Sequence, residues 1–543
     1  MLGRLRLSKS WKFWAGSLWV AVIVAFALLR LLHLDADFPN HTLWVEDFAK
    51  FTDEGWWANA AVQAHLTGNW FVAGDFNPAP AVPVWPFLLW IVFFFTGVSI
   101  IAARAVAVAF FFLNLLLSYR LLRSTGPRWR ALLALTLMVT SPYLYCFGRL
   151  ALLEPLLTAC TLATLNLAVR LPRSRHPYLA SAALGLLYTC MLLTKTSAVF
   201  LLPAIAWAAW LPLRHERRLA WRATFTAAAA SLGSFGLWMG LVFFNHLYAD
   251  YKYLFFINKY EKPSHFYWPL LSLWWSFHGG LWIDYILVPL AGVLILAAVL
   301  FSPQVASRLH LGSAAWARSL VADPLFGACF LAVAGYIGFM TVQNHPQPRY
   351  FAVVAVFLFI LVAQGVAALV GARGPSPWAH RAGWVALSVA VLAAGFNAVQ
   401  TVTYAAHPEY TFLRAAQGVR AYIDAHPNGN RLLISISGDQ LELMTGVPAI
   451  CDDFGTEELV SKLDHYRPGW WATWNEVDPG TLEDLHRHFD LEQVAAFPAY
   501  DHPDRNLLVL FKLHPIHGVL REDEDPAELQ QALPTDKIDI DVD

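Results

Sequence analysis

Two adjacent carboxylates early in the chain could act on a proton. Asp53 and Glu54 lie in the segment FTDEGWWANA, where Trp56 and Trp57 follow them closely. A carboxylate within hydrogen-bond reach of a hydroxyl can serve as its general base. Glu154 is a third candidate, because it lies among apolar residues in FGRLALLEPL, where an ionised carboxylate is costly and is by default a functional candidate.

Three basic residues lie near the predicted outer ends of apolar segments, where they could face an anion. Lys195, Arg349 and Arg149 are the candidates for facing such an anion. The alternative for each is that its aliphatic stem lies along lipid while its charged end reaches water. A second alternative is that Arg149 forms an ion pair with Glu154 that only stabilises the turn between two helices.

The composition predicts that these residues are positioned by membrane-spanning helices. Of 543 residues, 57% are hydrophobic and only 14% are charged, whereas soluble proteins carry about 25% charged residues. The apolar residues occur in runs of about twenty, long enough to cross a hydrocarbon core as helices. Because lipid offers no hydrogen bonds to an open backbone, we predict a polytopic α-helical membrane protein with about eleven transmembrane helices.

The connections between the apolar runs predict the orientation in the membrane. The predicted spans are 13–34, 98–120, 131–147, 155–171, 178–196, 198–213, 223–244, 284–301, 323–342, 350–371 and 382–404. Alternate connections are rich in Lys and Arg, which marks them as cytoplasmic together with the N-terminus. An odd number of spans then places the C-terminal part outside the cytoplasm, and we expect a bacterial inner membrane.

The predicted domain organisation follows from these spans. A membrane module at 1–404 carries two long outer loops, at 35–97 and 245–283, and the first ends in VPVWPFLLWIVFFFTG, a predicted interfacial helix. Residues 405–521 have a soluble composition and predict a small α/β domain, while 522–543 form an acidic tail. Within that domain RLLISIS, LEQVAAFPAY and NLLVLFKLHP predict strands, and TEELVSKLDHY and PGTLEDLHRHF predict helices.

Several function classes are disfavoured by what the sequence lacks. It has no P-loop, glycine-rich nucleotide motif or nucleophile elbow, which argues against a cytosolic nucleotide-sugar donor. The net charge of −1 gives no argument for nucleic acid. No histidine pair has metal-ligand spacing, so no metal site is predicted. A divalent cation held by Asp53, Glu54 and Glu154 is an alternative.

Taken together, these segments resemble the GT-C superfamily of glycosyltransferases, in its protein-O-mannosyltransferase-like and aminoarabinose-transferase-like branch. The resemblance covers roughly residues 13–370. The segments that carry it are DEGWW at 53–57, GNW at 68–70, GVSIIAARAV at 97–106, RLALLEP at 149–155, LLTK at 192–195 and PRY at 348–350. One departure is Asn77–Pro83, which has neither the acid nor the lysine that several relatives carry before the interfacial helix.

The resemblance implies an inverting transfer of sugar from a polyprenyl-phosphate carrier to an acceptor hydroxyl outside the cytoplasm. It implies that Asp53 is the general base, with Glu154 and Glu54 as further catalytic carboxylates. Trp56 and Trp57 would line the substrate.

The donor phosphate would be bound by Lys195, Arg349 and Arg149, with membrane lipids as the surroundings. No cofactor is predicted, and a divalent cation is the alternative. The sugar and the acceptor stay open, whether lipid, glycan or protein. The alternatives are a polytopic transporter, which predicts inverted or parallel repeats that this sequence does not show, and a non-catalytic relative in envelope assembly.

Overall fold

The membrane-embedded part is a bundle of apolar helices. The computed structural model describes residues 9–42, 44, 47–257, 323–341, 347–371, 377–500 and 505–516. Eight of the described helices are long and apolar enough to cross a membrane. The predicted span at 284–301, most of the second outer loop and the acidic tail lie outside the described residues.

Ten of the eleven predicted spans fall on described helices. The helices of this part are α1 (Lys9–Leu28), α2 (Asp53–Leu66), α3 (Val84–Thr96), α4 (Ile100–Thr125), α5 (Arg128–Thr140), α6 (Pro142–Phe147), α7 (Glu154–Arg170), α8 (Pro177–Leu192), α9 (Leu202–Leu213), α10 (Arg217–Phe244), α11 (Tyr248–Lys252), α12 (Pro324–Thr341), α13 (Ala352–Val370) and α14 (Pro377–Ala406). Three of the ten are shorter than a straight span requires, α5 with 13 residues, α8 with 16 and α9 with 12, although a 3₁₀ helix at Thr196–Leu201 leads directly into α9.

Helix α13 is the centre of the bundle. Its sequence is apolar on all sides, and 83% of its most apolar stretch is buried inside the protein. The helix contacts α5, α7, α12 and α14. A helix that is apolar all round belongs either in a protein core or in a membrane, and α13 lies in the core of the bundle. Because Arg349 and Tyr350 immediately precede this helix, their backbone is fixed by the most buried element of the bundle.

The predicted span 131–147 is two helices, α5 and α6. Proline cannot continue the hydrogen-bond ladder of α5, and Pro142 instead occupies the first turn of α6. The Ser141 hydroxyl accepts a hydrogen bond from the amide of Leu144 at 3.2 Å and so caps the new helix. The break lets the Tyr143 hydroxyl donate to the carbonyl of Pro348, which ties α6 to the start of α13.

The C-terminal part is a five-stranded mixed sheet covered by helices on both faces. Its elements are α15 (Thr411–Ala425), β1 (Leu433–Ile434), α16 (Gly438–Thr445), β2 (Ala449–Ile450), α17 (Leu459–Tyr466), β3 (Trp470–Trp474), α18 (Pro479–His488), β4 (Phe489–Pro498) and β5 (Leu507–Pro515). The strand order is β2-β1-β3-β5-β4, with β1, β2 and β3 parallel and β5 antiparallel to both β3 and β4. All three predicted strands and both predicted helices are present, whereas α15, α16, β2 and β3 were not predicted.

Helix α2 of the first loop joins the two parts, because it packs directly on α16. A Cβ atom on Gly55 would lie only 2.2 Å from the backbone nitrogen of Gln440, so glycine is what permits this approach. The Asn59 amide donates to Asp439 at 2.7 Å, and the Gln63 amide donates to Glu442 at 2.9 Å. The contact is therefore close and largely polar.

Candidate active site

Asp53 is the first residue of α2 and is buried, with 2% of its surface exposed. Its carboxylate forms an ion pair with Arg349, whose Nε lies 2.7 Å from Oδ2 and whose Nη2 donates to Oδ1 at 3.3 Å. Burial raises the pKa of Asp53, and the Arg349 guanidinium opposes that rise. Because a helix N-terminus also favours negative charge, the carboxylate lies where its charge is stabilised although water is largely excluded.

Arg349 is held by a second carboxylate that was not predicted from the sequence, Asp47. The Arg349 backbone amide and Nη1 donate to the two oxygens of Asp47 at 2.7 and 2.8 Å. Asp47 also accepts a hydrogen bond from the amide of Ala49, as the cap of a 3₁₀ turn at Phe48–Lys50. The only signal in the sequence was its position in the acidic first loop, six residues before Asp53.

Glu154 is the first residue of α7 and pairs with Lys195 rather than with Arg149. Only 3% of its surface is exposed, and the Lys195 ammonium contacts its Oε1. Pro155 follows it in the first turn, which fixes where the helix begins. The charged groups of Arg149 donate instead to the Tyr145 hydroxyl and to the carbonyl of Leu32 at 2.6 and 2.7 Å. The alternative of an Arg149–Glu154 pair is therefore wrong.

The two ion pairs meet at one aromatic ring. The Lys195 Nζ lies 4.5 Å from the centre of the Tyr350 ring, and the Arg349 Cζ lies 4.7 Å from the same centre. A cation at this distance is attracted by the negative face of the ring. With Asp47, which also pairs with Arg349, residues from four separate segments of the chain thus form one cluster of three carboxylates and two cations beside Tyr350.

Glu54, although adjacent to Asp53, enters a different environment. It is fully buried and accepts two hydrogen bonds from Arg104, at 2.8 Å from Nε and 2.6 Å from Nη2. It also accepts one from the amide of Ala151 at 2.7 Å. The remaining Nη1 of Arg104 donates to the carbonyls of Leu34 and Ala36. Glu54 therefore links α2 to α4 and to the turn before α7.

The two tryptophans predicted to line the substrate are both partly buried. The Trp56 ring makes edge contacts with Phe76 and Phe454, at 5.3 and 4.9 Å between ring centres. Trp57 packs against the core of the helical bundle. Phe51, five residues before Trp56, contacts the Trp474 ring at 5.2 Å and so anchors the start of α2 in the C-terminal domain.

The three carboxylates do not fit a divalent cation. Asp53, Glu54 and Glu154 each face a different basic residue, and among the described residues no group of three or more His, Cys, Asp or Glu side chains could hold a metal ion. A metal site needs several ligand oxygens turned toward one point. This donor set is arranged as ion pairs instead.

Comparison with known proteins identifies the fold. A family model described as dolichyl-phosphate-mannose-protein mannosyltransferase matches residues 78–238, which include Glu154 and Lys195. ArnT from Cupriavidus metallidurans is similar in structure in its apo state, with a TM-score of 0.60 and 15% identity over 91% of this chain and 98% of that one. The chain has the GT-C fold.

A second ArnT structure from the same organism, bound to undecaprenyl phosphate, gives a TM-score of 0.59 at 14% identity, over 93% of this chain and 98% of that one. No curated protein sequence matches the chain. The predicted resemblance to the GT-C superfamily is confirmed, and the chain is a multi-pass membrane protein with the architecture of GT-C glycosyltransferases. At this level of identity the likeness establishes the fold, and the activity has to be argued from the site.

Proposed function

We propose that this chain is an inverting glycosyltransferase that moves a sugar from a polyprenyl-phosphate carrier to a hydroxyl of an extracytoplasmic acceptor. The observation that carries the proposal is the cluster around Tyr350, where buried carboxylates and basic residues from distant segments converge. Undecaprenyl phosphate bound to a protein of the same fold supports the choice of carrier. The N-terminus would face the cytoplasm of a bacterial inner membrane, and the C-terminal domain would lie outside.

The reaction requires a base and a site for a phosphate leaving group. The acceptor oxygen attacks the anomeric carbon from the side opposite the carrier, and the bond from that carbon to the phosphate oxygen breaks. The electron pair leaves with the polyprenyl phosphate, and the hydroxyl proton passes to Asp53. Burial of Asp53 favours this step, because it raises the affinity of the carboxylate for a proton.

Lys195 and Arg349 are the cations best arranged to meet the leaving phosphate. Both lie over the Tyr350 ring, so one phosphate placed there could contact both charges. Sharing these cations with a phosphate would weaken their hold on Asp53 and Glu154 and leave Asp53 more basic. Fixed positive charge at a developing phosphate anion stabilises the transition state. Arg149 remains a predicted third contact, although its described donors already meet carbonyl and hydroxyl oxygens.

The test is a reconstituted assay with radiolabelled polyprenyl-phosphate sugars and a panel of lipid, glycan and peptide acceptors. We expect the wild-type protein to consume the labelled carrier and the Asp53→Asn variant to leave it intact. Consumption by both proteins at the same rate would refute the role of Asp53. If neither protein consumes any carrier-linked sugar, the transporter and the non-catalytic relative become the better interpretations.

A further inference from the structure

A cavity of about 650 Å³ lies between the C-terminal sheet and the polypeptide that leads into the candidate active site. One wall is formed by Phe48, Gln347 and Pro348, and the opposite wall includes Thr473 and Trp474. This volume is in the range of pockets that bind small molecules or the headgroup of a larger one. It is separate from the cluster at Tyr350, whose charged residues do not line it.

The position of the cavity in the sheet is that of a ligand site. Strands β1, β2 and β3 are parallel, and the cavity is lined by residues that come just after each of them, Ile436, Asp452 and Glu476. In open α/β sheets, ligands bind in the crevice outside the carboxyl ends of the parallel strands. The strand topology and the position of the cavity therefore both indicate a ligand site at this edge of the sheet.

The lining carries an excess of negative charge. Four carboxylates line the cavity against one guanidinium, that of Arg505, which also lies over the rings of Phe48 and Phe51 at 4.4 and 4.5 Å. The four are Asp452, Asp453, Glu476 and Asp478. Burial, reinforced by the neighbouring Asp453 carboxylate, raises the pKa of Asp452 to about 7.

A buried hydroxyl adds a neutral hydrogen-bonding group to the same wall. Thr473 is only 2% exposed and lines the cavity. A hydroxyl can both donate and accept a hydrogen bond. The cavity therefore offers carboxylates for a cation, together with a hydroxyl and aromatic edges for a sugar ring.

The cavity and the active site share two segments of backbone. Phe48 and Pro348 line the cavity, and they are the chain neighbours of Asp47 and Arg349. Asp47 in turn binds both the backbone amide and the side chain of Arg349. An occupant of the cavity would lie against the segments that carry Asp47 and Arg349.

We propose that this cavity binds the acceptor through a hydroxyl-bearing headgroup with positive charge, and that its carboxylates disfavour phosphorylated acceptors. The inference rests on the proposed function, since only a glycosyltransferase has an acceptor. An ammonium group gains charge-assisted hydrogen bonds from the carboxylates, whereas a phosphate is repelled by them. The cavity thus narrows the acceptor to an amine-bearing carbohydrate.

The test measures binding without any donor, so that it does not depend on catalysis. The full-length protein in detergent is titrated calorimetrically, near neutral pH, with methyl glucosaminide, methyl glucoside and methyl glucoside phosphate. We expect the glucosaminide to bind about tenfold more tightly than the neutral glycoside, and the phosphate to bind most weakly. Asp453→Asn should weaken glucosaminide binding severalfold, and Thr473→Val should weaken binding of both uncharged and cationic glycosides.

Asp464→Asn is the matched control, because Asp464 is also an exposed aspartate of the same domain but does not line the cavity. It should bind all three glycosides like the wild type. Equal binding of the three probes, preference for the phosphate, or wild-type affinity in the Asp453→Asn and Thr473→Val variants would overturn the inference. Glucosaminide binding with the expected variant effects but no carrier consumption would instead overturn the proposed function and leave the cavity as a binding site.

Discussion

Asp53 and Glu54 are neighbours at the start of the same helix, yet each forms an ion pair of a different kind. Glu54 meets Arg104, whose other described donors end on the carbonyls of Leu34 and Ala36. Asp53 meets Arg349, which is shared with Asp47 and lies over the Tyr350 ring, where Lys195 lies as well.

The difference teaches how to separate a structural pair from a candidate catalytic one. In the Glu54 pair the charges face each other and the backbone, so the pair can do little beyond holding α2, α4 and the α7 turn together. Around Asp53, two cations and three carboxylates share one location, and an incoming phosphate could redistribute their contacts. Buried pairs are weak evidence for stability in themselves, but removing one partner from either leaves a costly buried charge.

The largest expected effect is on catalysis. Asp53→Asn should lower the rate of sugar transfer about 10²–10⁴-fold, because the amide cannot accept the acceptor proton. The measurement is the single-turnover rate with labelled donor. Glu54→Gln is the matched control on the same helix and, per folded molecule, should keep a rate within severalfold of the wild type. Equal losses in the two variants would erase the distinction drawn between the two pairs.

The second effect is on stability and concerns Glu54. Glu54→Gln should lower the free energy of unfolding by about 3 kcal/mol, because it leaves the Arg104 guanidinium buried without a counter-charge. Thermal unfolding in detergent measures this loss. The double variant Glu54→Gln with Arg104→Met should unfold at a higher temperature than Glu54→Gln alone. If the single variant is as stable as the wild type, the pair is not a structural link.

The third prediction concerns the contact that holds α2 against the C-terminal domain. Gly55→Ala should cost about 1–3 kcal/mol, because its Cβ would lie 2.2 Å from the Gln440 backbone nitrogen. We expect faster limited proteolysis of the C-terminal domain and reduced transfer. Gly233→Ala is the comparison, since no atom lies within 4 Å of a Cβ at that position and its backbone is helical. Resistance of Gly55→Ala to proteolysis would show that α2 and α16 can separate without consequence.

The fourth prediction compares the two candidate phosphate contacts. Lys195→Met should raise the KM for the lipid-linked donor about tenfold, since it removes a charge beside Tyr350. Arg149→Met should raise it less, because its donors already meet the Tyr145 hydroxyl and backbone carbonyls. Initial rates measured at varied donor concentration give the KM of each variant. A larger KM effect at Arg149 would move the phosphate site toward α6.

The smallest expected effect is a pH dependence of stability set by Asp452. Burial and Asp453 raise its pKa to about 7, against the Trp471 indole and the Lys462 ammonium, which lower it. Because the folded-state pKa lies above that of the unfolded chain, this contribution to stability is full below pH ~4 and is lost as the pH rises to about 7. Melting temperatures should therefore fall by a few degrees over that interval. Asp452→Asn should flatten the curve, whereas Asp464→Asn should not.

Much of the fold was predictable because it follows from local pattern. Runs of apolar residues located ten described helices, and the periodicity of RLLISIS, TEELVSKLDHY and NLLVLFKLHP located elements of the C-terminal domain. The short strand β2, with two residues, carries too little sequence to be recognised locally. Strand β3, WWATW, is buried on both faces, so it lacks the alternation that marks a half-exposed strand.

The sequence by itself determined a helical membrane protein, a soluble C-terminal domain and the carboxylates and cations worth testing. These follow from residue type and spacing, which act along the chain. Only the tertiary structure decided the partners: Lys195 for Glu154, Arg349 for Asp53 and Arg104 for Glu54. Those pairs join residues up to 296 positions apart, and their choice depends on how the helices pack around α13. The acidic cavity likewise exists only because the C-terminal sheet is held over the loops that carry Asp47 and Arg349.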